Sequence, residues 1–219
     1  AARPSGSRPG RCPPRVPAPP RPGGEKSVAS GDVEPVGGRY PCDVEPDVPR
    51  LKDLIRDIPD FPKAGVVFKD ITPLLADPEG FALVIETLAE RFAGRGITKV
   101  EGTKPGGFII AAPVAHRLGA GFVPVRKVGK LPWEVEAEAY ELEYGTGLLE
   151  LHSDAVAIDE TVLVVDDVLA TGGTAAATVR LIERLGAKVA GLGFVIELGF
   201  LNGRRQVSGR DILSLLHYE

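Results

Sequence analysis

Apolar and polar positions follow two periods along this chain, one helical and one extended. Leu51, Leu54, Ile55 and Ile58 recur at helical spacing, with Asp47 as cap, Pro49 in the first turn and Pro59 as terminator. Val66–Lys69 reads as a short strand. A helix restarts at Asp77-Pro78, shows Phe81, Val84, Ile85, Leu88 and Phe92 on one face, and ends near Gly94 or Gly96. A strand near Thr98–Glu101 leads through a Gly102–Gly107 loop into a helix from about Phe108 to Leu118. Gly119 and Gly121 bracket the turn into a strand at Phe122–Arg126, and a long polar stretch, Lys127–Gly147, follows. Strands are then expected at Leu148–His152, Val162–Val165, Lys188–Glu197 and Ile212–Leu216, with a helix over roughly Ala175–Leu185. This alternation, without an internal repeat, predicts an α/β fold: a parallel sheet with helices on both faces.

The most informative segment is Val162-Leu-Val-Val-Asp-Asp-Val-Leu-Ala-Thr-Gly-Gly-Thr174. Its apolar start reads as a strand buried on both faces. Asp166 and Asp167 sit where that strand is expected to end, the place where open α/β sheets bind ligands. Ala170, Thr171, Gly172, Gly173 and Thr174 supply N–H groups and hydroxyls suited to a phosphate, and the next helix adds its dipole. The plain alternative is a strand, a polar turn and a helix cap. Two acids beside a phosphate cradle argue against it, because they repel phosphate unless they hold sugar hydroxyls or a metal-bound diol. Neither a Walker A loop nor a G-x-G-x-x-G turn fits the spacing.

Composition narrows the classes further. Twelve of twenty prolines fall within residues 1–49, among Arg3, Arg8, Arg11, Arg15 and Arg21, so residues 1–47 are expected to form a disordered extension to a domain over 48–219. The extension lacks the continuous apolar region of a secretory signal. A transit peptide fits so many prolines badly, and a passive extension suits it better than a ligand for SH3-like modules. With no Met, the chain is expected to be a processed or excised piece. Beyond residue 24 the net charge is −9, which argues against general nucleic-acid binding. No apolar run approaches the ~20 residues of a membrane span. Cys12 and Cys42 suggest neither a metal site nor a disulfide framework, which points to a reducing cytoplasm.

The Val162–Thr174 segment resembles the phosphoribosyl diphosphate (PRPP) signature of the type I phosphoribosyltransferases. Three more stretches resemble the adenine-specific branch of that family: Phe61–Pro73, Gly121–Pro132 and Tyr140–Gly145. The resemblance runs from about Val48 to the C-terminus. It implies a Rossmann-like parallel sheet of the type I phosphoribosyltransferase fold, with a small hood and a flexible active-site loop. It also implies a glycosyltransferase of purine salvage that makes AMP and diphosphate from adenine and PRPP, with Mg²⁺ as cofactor, as a cytoplasmic homodimer.

Residue by residue, the resemblance implies that Asp166 and Asp167 hold the ribose hydroxyls or waters on the metal. Ala170–Thr174 would hold the 5-phosphate. Arg126 and Lys130 would face the diphosphate, and Lys127 is expected beside them because it too follows the predicted strand, where a cation can reach that group. Val67, Phe68 and Lys69 would form the adenine pocket, with Phe68 stacked on the base. Glu143 matches the proposed acid/base residue in a mobile loop, with Tyr144 beside it; by pattern alone, Tyr140–Tyr144 reads as an edge strand. His116 and His152 are taken as surface or packing residues.

The chain departs from the family at Lys104-Pro105-Gly106, where an acid, a small residue and an Arg are usual. A missing charge-assisted bond to diphosphate costs about 1.5–3 kcal/mol. Lys104 is expected to recover part of it as a point charge, and Gly106→Arg to change the KM for PRPP. A cis Lys104–Pro105 bond is also expected. Two other functions stay open: a PRPP- or nucleotide-sensing regulator with weak turnover, and the same transfer to another purine base.

Overall fold

The computed structural model describes residues 48–142 and 145–219. Elements follow in the order α1 (Val48–Asp53), β1 (Arg56–Pro59), β2 (Val67–Asp70), α2 (Thr72–Ala76), α3 (Pro78–Phe92), β3 (Lys99–Thr103), α4 (Lys104–Leu118) and β4 (Gly121–Lys127). After these come β5 (Val135–Leu142), β6 (Gly145–His152), β7 (Thr161–Leu169), α5 (Gly173–Arg184), β8 (Lys188–Leu198) and β9 (Ile212–Tyr218). Among the described residues, seven strands make one sheet in the order β5-β6-β4-β3-β7-β8-β9, and β1 with β2 make a separate antiparallel pair. β4, β3, β7, β8 and β9 run parallel, while β5 and β6 add an antiparallel hairpin at the β4 edge. No described helix is long and apolar enough to cross a membrane.

The predicted α/β fold is correct. β7 alternates between two cores: Leu163 and Val165 pack with α3 and α4, while Val162 and Val164 pack with α5 and the β5–β6 hairpin. This two-sided burial explains the unbroken apolar run of β7. Helix α3 starts as the Asp77-Pro78 pattern predicts, with the Asp77 carboxylate accepting from the Gly80 N–H at 2.7 Å. Val84, Ile85, Leu88 and Phe92 then bury one face.

Four local expectations need correction. The first helix ends at Asp53, and Ile58 lies instead in β1 opposite Phe68; pairing with β2 outweighs helical spacing over so short a segment. The expected polar stretch Lys127–Gly147 contains β5, paired along its length with β6, so the bare edge-strand reading of Tyr140 and its neighbours fits the described part. The signature strand runs on to Leu169, placing both acids inside β7 rather than after it. No loop spans 102–107: β3 continues to Thr103, and α4 starts at Lys104 with Pro105 in its first turn, where proline's fixed φ is favourable.

β3 and β7 are adjacent and parallel, yet their helices leave to opposite sides: α4 leads to β4 in one direction, and α5 leads to β8 in the other. Such a switch point opens a crevice beyond the carboxyl ends of the strands. The β1–β2 pair reaches the same edge, because Lys69 Nζ lies 4.1 Å from the ring centroid of Tyr218 near the end of β9.

Phe92 tests the larger core. It is fully buried, Gly191 leaves room for its ring, and Arg95 stacks 4.9 Å from its centroid. Phe92→Ala should lower the unfolding free energy by about 3–5 kcal/mol, read as a reduced denaturant midpoint at unchanged m-value.

Candidate active site

β3, the start of α4 and the end of β7 bring four titratable groups together: Glu101, Lys104, Asp166 and Asp167. Asp166 is buried at 9% exposure, and its Oδ1 accepts the Asp167 N–H at 3.0 Å. Asp167 is half-buried. Burial, and then the neighbouring Asp167 carboxylate, hold the Asp166 carboxyl well above the usual aspartate range. Both acids lie against the bare first turn of α4. A Cβ at Gly106 would sit 2.1 Å from Asp167 Oδ2, and one at Gly107 would sit 2.6 Å from Asp166 Oδ1. A side chain at Gly106 meets the Asp167 carboxylate first, so Gly106→Arg disturbs the acid pair as well as adding a cation. The expected cis Lys104–Pro105 bond is absent. Among the described residues the cis peptide is Phe61–Pro62, and the chain turns instead through Lys104 at φ +59.

The Ala170–Thr174 loop follows β7 and runs into α5. Gly172, the N-cap of α5, has φ +82, and a Cβ there would lie 2.2 Å from the Gly203 carbonyl oxygen. A Cβ at Gly203 would in turn lie 2.1 Å from the Ala170 carbonyl oxygen. Two glycines thus let main chain pack on main chain and hold the loop curled at the helix N-terminus. The N–H groups of the first turn of α5 lack intrahelical partners and face outward with the positive end of the dipole. That arrangement suits a phosphate.

Lys104 joins this loop: its Nζ donates to Thr174 Oγ1 at 3.0 Å and lies 5.2 Å from the Tyr140 ring centroid. Lys127 is close enough to act electrostatically on it. Arg126 donates to the Lys130 carbonyl at 2.9 Å, and the Gly129 N–H donates to Glu150 at 2.8 Å, bracing the basic turn. Lys127 and Lys130 are exposed. On β2, Val67 and Phe68 are 48% and 44% exposed, and Phe61 packs edge-to-face on Phe68 at 5.3 Å between centroids. The Lys69 ammonium is engaged by Asp57 at 2.6 Å. Glu143 and Tyr144 lie outside the described residues. His152 packs with a buried Nε2 that has no hydrogen-bond partner.

The spacing pattern missed Glu101. It is fully buried on β3, and its Oε1 accepts from Thr103 Oγ1 at 2.9 Å while Oε2 has no partner. Thr103 also bonds Thr178 of α5 at 3.2 Å. Burial pushes the Glu101 carboxyl up to about 8, against the Thr103 hydrogen bond. The available signal was an acid at the centre of a strand buried on both faces.

Among the described residues no three His, Cys, Asp or Glu gather to hold a metal. The hard oxygens of Asp166 and Asp167 fit a divalent ion that arrives with most of its ligands already supplied.

Two measurements check this geometry. Gly172→Ala strains a left-handed position and collides with the Gly203 carbonyl, so it should cost about 1–3 kcal/mol of stability and abolish ribose 5-phosphate binding, followed by melting and titration. Glu101 has a raised folded pKa, so the unfolded chain releases that proton first as pH rises. Its stabilisation is present below its ordinary value of 4.5 and lost as pH climbs to about 8. The stability of the native protein relative to Glu101→Gln should fall across that window and then level off.

Comparison with known proteins shows the family. The phosphoribosyl transferase domain family matches residues 70–206. The adenine phosphoribosyltransferase of Maridesulfovibrio salexigens is 57% identical over 166 residues, covering 76% of this chain and 98% of its own. That of Anaeromyxobacter dehalogenans is 58% identical over 168 residues, covering 77% and 98%. The crystal structure of adenine phosphoribosyltransferase from Thermoanaerobacter pseudethanolicus superposes with a TM-score of 0.76 at 50% identity, covering 78% of this chain and 99% of that one. The Saccharomyces cerevisiae enzyme, solved with an imino-altritol bisphosphate and adenine, gives 0.73 at 39% identity, covering 77% and 98%. With its acid pair, curled glycine loop and switch-point sheet, the chain belongs to the adenine phosphoribosyltransferase branch of the phosphoribosyltransferase family.

Proposed function

We propose that the domain over 48–219 transfers the phosphoribosyl group of PRPP to adenine, giving AMP and diphosphate in purine salvage. The observation that carries this reading is the Asp166–Asp167 pair directly ahead of a phosphate-shaped loop at the β3/β7 switch point. An acid pair with a phosphate cradle answers to the diol and the phosphate of one ribose 5-phosphate.

In this reading the Ala170–Thr174 amides and the Thr171 and Thr174 hydroxyls bind the 5-phosphate, and Asp166 and Asp167 hold the ribose hydroxyls. Arg126, Lys127 and Lys130 draw the diphosphate away from C1, where cationic charge grows as the bond breaks. Mg²⁺ carried by the diphosphate supplies neutralisation of the leaving group. Phe68, with Phe61 at its edge, offers an open aromatic face for the base. A two-stranded pair leaves one edge of β2 unpaired, so its main chain is available to read adenine. Glu143 exchanges a proton with adenine as the acid/base residue of the transfer. A cytoplasmic homodimer is part of the same proposal.

A second reading, a PRPP sensor with weak turnover, rests on Gly106, where Asp167 occupies space that a basic side chain would need. One assay separates the two: incubation with PRPP, Mg²⁺ and adenine, hypoxanthine or guanine in turn. AMP from adenine alone is expected, and Glu143→Gln should lower kcat by about 10²–10⁴-fold. PRPP binding without any nucleotide formed would favour the sensor. No PRPP binding would reject both.

A further inference from the structure

Lys104 is held in a way that ordinary packing does not explain. Its backbone occupies a left-handed conformation at φ +59, which costs a non-glycine residue free energy. Its ammonium ends on Thr174 Oγ1, at the second residue of α5. A cation is electrostatically out of place there, because the N-terminal end of a helix already carries partial positive charge. Lys127 adds a second cation within electrostatic range. Burial pulls the Lys104 ammonium below its ordinary value; Asp166 and Asp167 oppose that, and Lys127 adds to it. The Lys104 ammonium thus meets the positive end of α5 with a second cation in range, and the nearby carboxylates offset this only in part. An anion seated on the first turn of α5 would complete the balance.

Lys104 reaches this hydroxyl from the first residue of α4, across the crevice, and lies over the face of Tyr140 on β5. The ring face steadies the ammonium through its quadrupole, and Gly147 leaves the space for that ring, since a Cβ there would lie 2.5 Å from it. The side chain is thereby aimed at the loop that follows β7.

We propose that Lys104 is a ligand of the sugar 5-phosphate at the Ala170–Thr174 loop, and not of the diphosphate. The assignment rests on the phosphoribosyl-transfer reading above. It makes Lys104 a positioning residue: it anchors the phosphate end of the sugar so that C1 meets the base, and contributes to affinity for every ligand that carries a 5-phosphate.

The test titrates ribose 5-phosphate and, separately, diphosphate with Mg²⁺ into the full chain, Lys104→Met and Lys104→Arg by calorimetry. Lys104→Met should weaken ribose 5-phosphate about tenfold or more and leave diphosphate within about twofold, as expected for one lost charge-assisted bond. Lys104→Arg, which keeps the charge, should retain most of the ribose 5-phosphate affinity. If Lys104→Met does not melt cooperatively, Lys104→Gln takes its place. A selective loss of diphosphate, an equal loss of both ligands, or no loss of either overturns the assignment. Failure of the unaltered chain to bind ribose 5-phosphate would remove the phosphate-cradle reading as well, whereas normal binding with indifferent variants would remove this inference alone.

Discussion

Gly172 and Gly203 allow one contact on which the site depends: backbone against backbone, with no Cβ between them. The loop after β7 can curl onto the α5 N-terminus because the Gly203 main chain packs directly on it. The loop holds its shape without ligand-specific side chains, through a left-handed N-cap and a packed carbonyl. Amides presented in this way are preorganised and need little rearrangement when an anion arrives.

The sheet supplies the setting. Because the crossovers from β3 and β7 part to opposite faces, the first turns of α4 and α5 flank one crevice, and charged residues at two strand ends become neighbours. The cost is the burial of acids. Asp166 and Glu101 are both pushed toward their neutral forms, mainly by loss of water. A neutral carboxyl can donate a hydrogen bond as well as accept one. At the site this makes Asp166 a candidate partner for sugar hydroxyls in either sense. Asp167, more open and lying over Gly106, is the better placed of the pair to meet charge.

Much of this was legible in the sequence wherever one face of an element dominates its energetics. The α3 stripe from Val84 to Phe92, the Asp77-Pro78 start and the buried run of β7 all appear as the pattern predicts. The glycine loop was legible for a similar reason, because small residues between a strand and a helix leave few other structures. Legibility failed where tertiary pairing decides. Ile58 follows helical spacing yet pairs with Phe68 in a strand. The β5 segment looks like polar loop because Glu136, Glu138 and Glu141 break its apolar run, although it pairs with β6 as a local hairpin. The 102–107 segment looks like loop because of its glycines, although those glycines serve to admit the two acids against α4. The direction of the Lys104 side chain was beyond reach, since it depends on Tyr140 and Thr174, distant in sequence.

The most direct measurement is a crystal structure of the chain with AMP bound. The phosphate should lie within hydrogen-bond reach of the 171–174 amides, with the ribose diol on Asp166 and Asp167. AMP bound elsewhere, or bound with that loop vacant and the acid pair still packed on Gly106 and Gly107, would contradict the account.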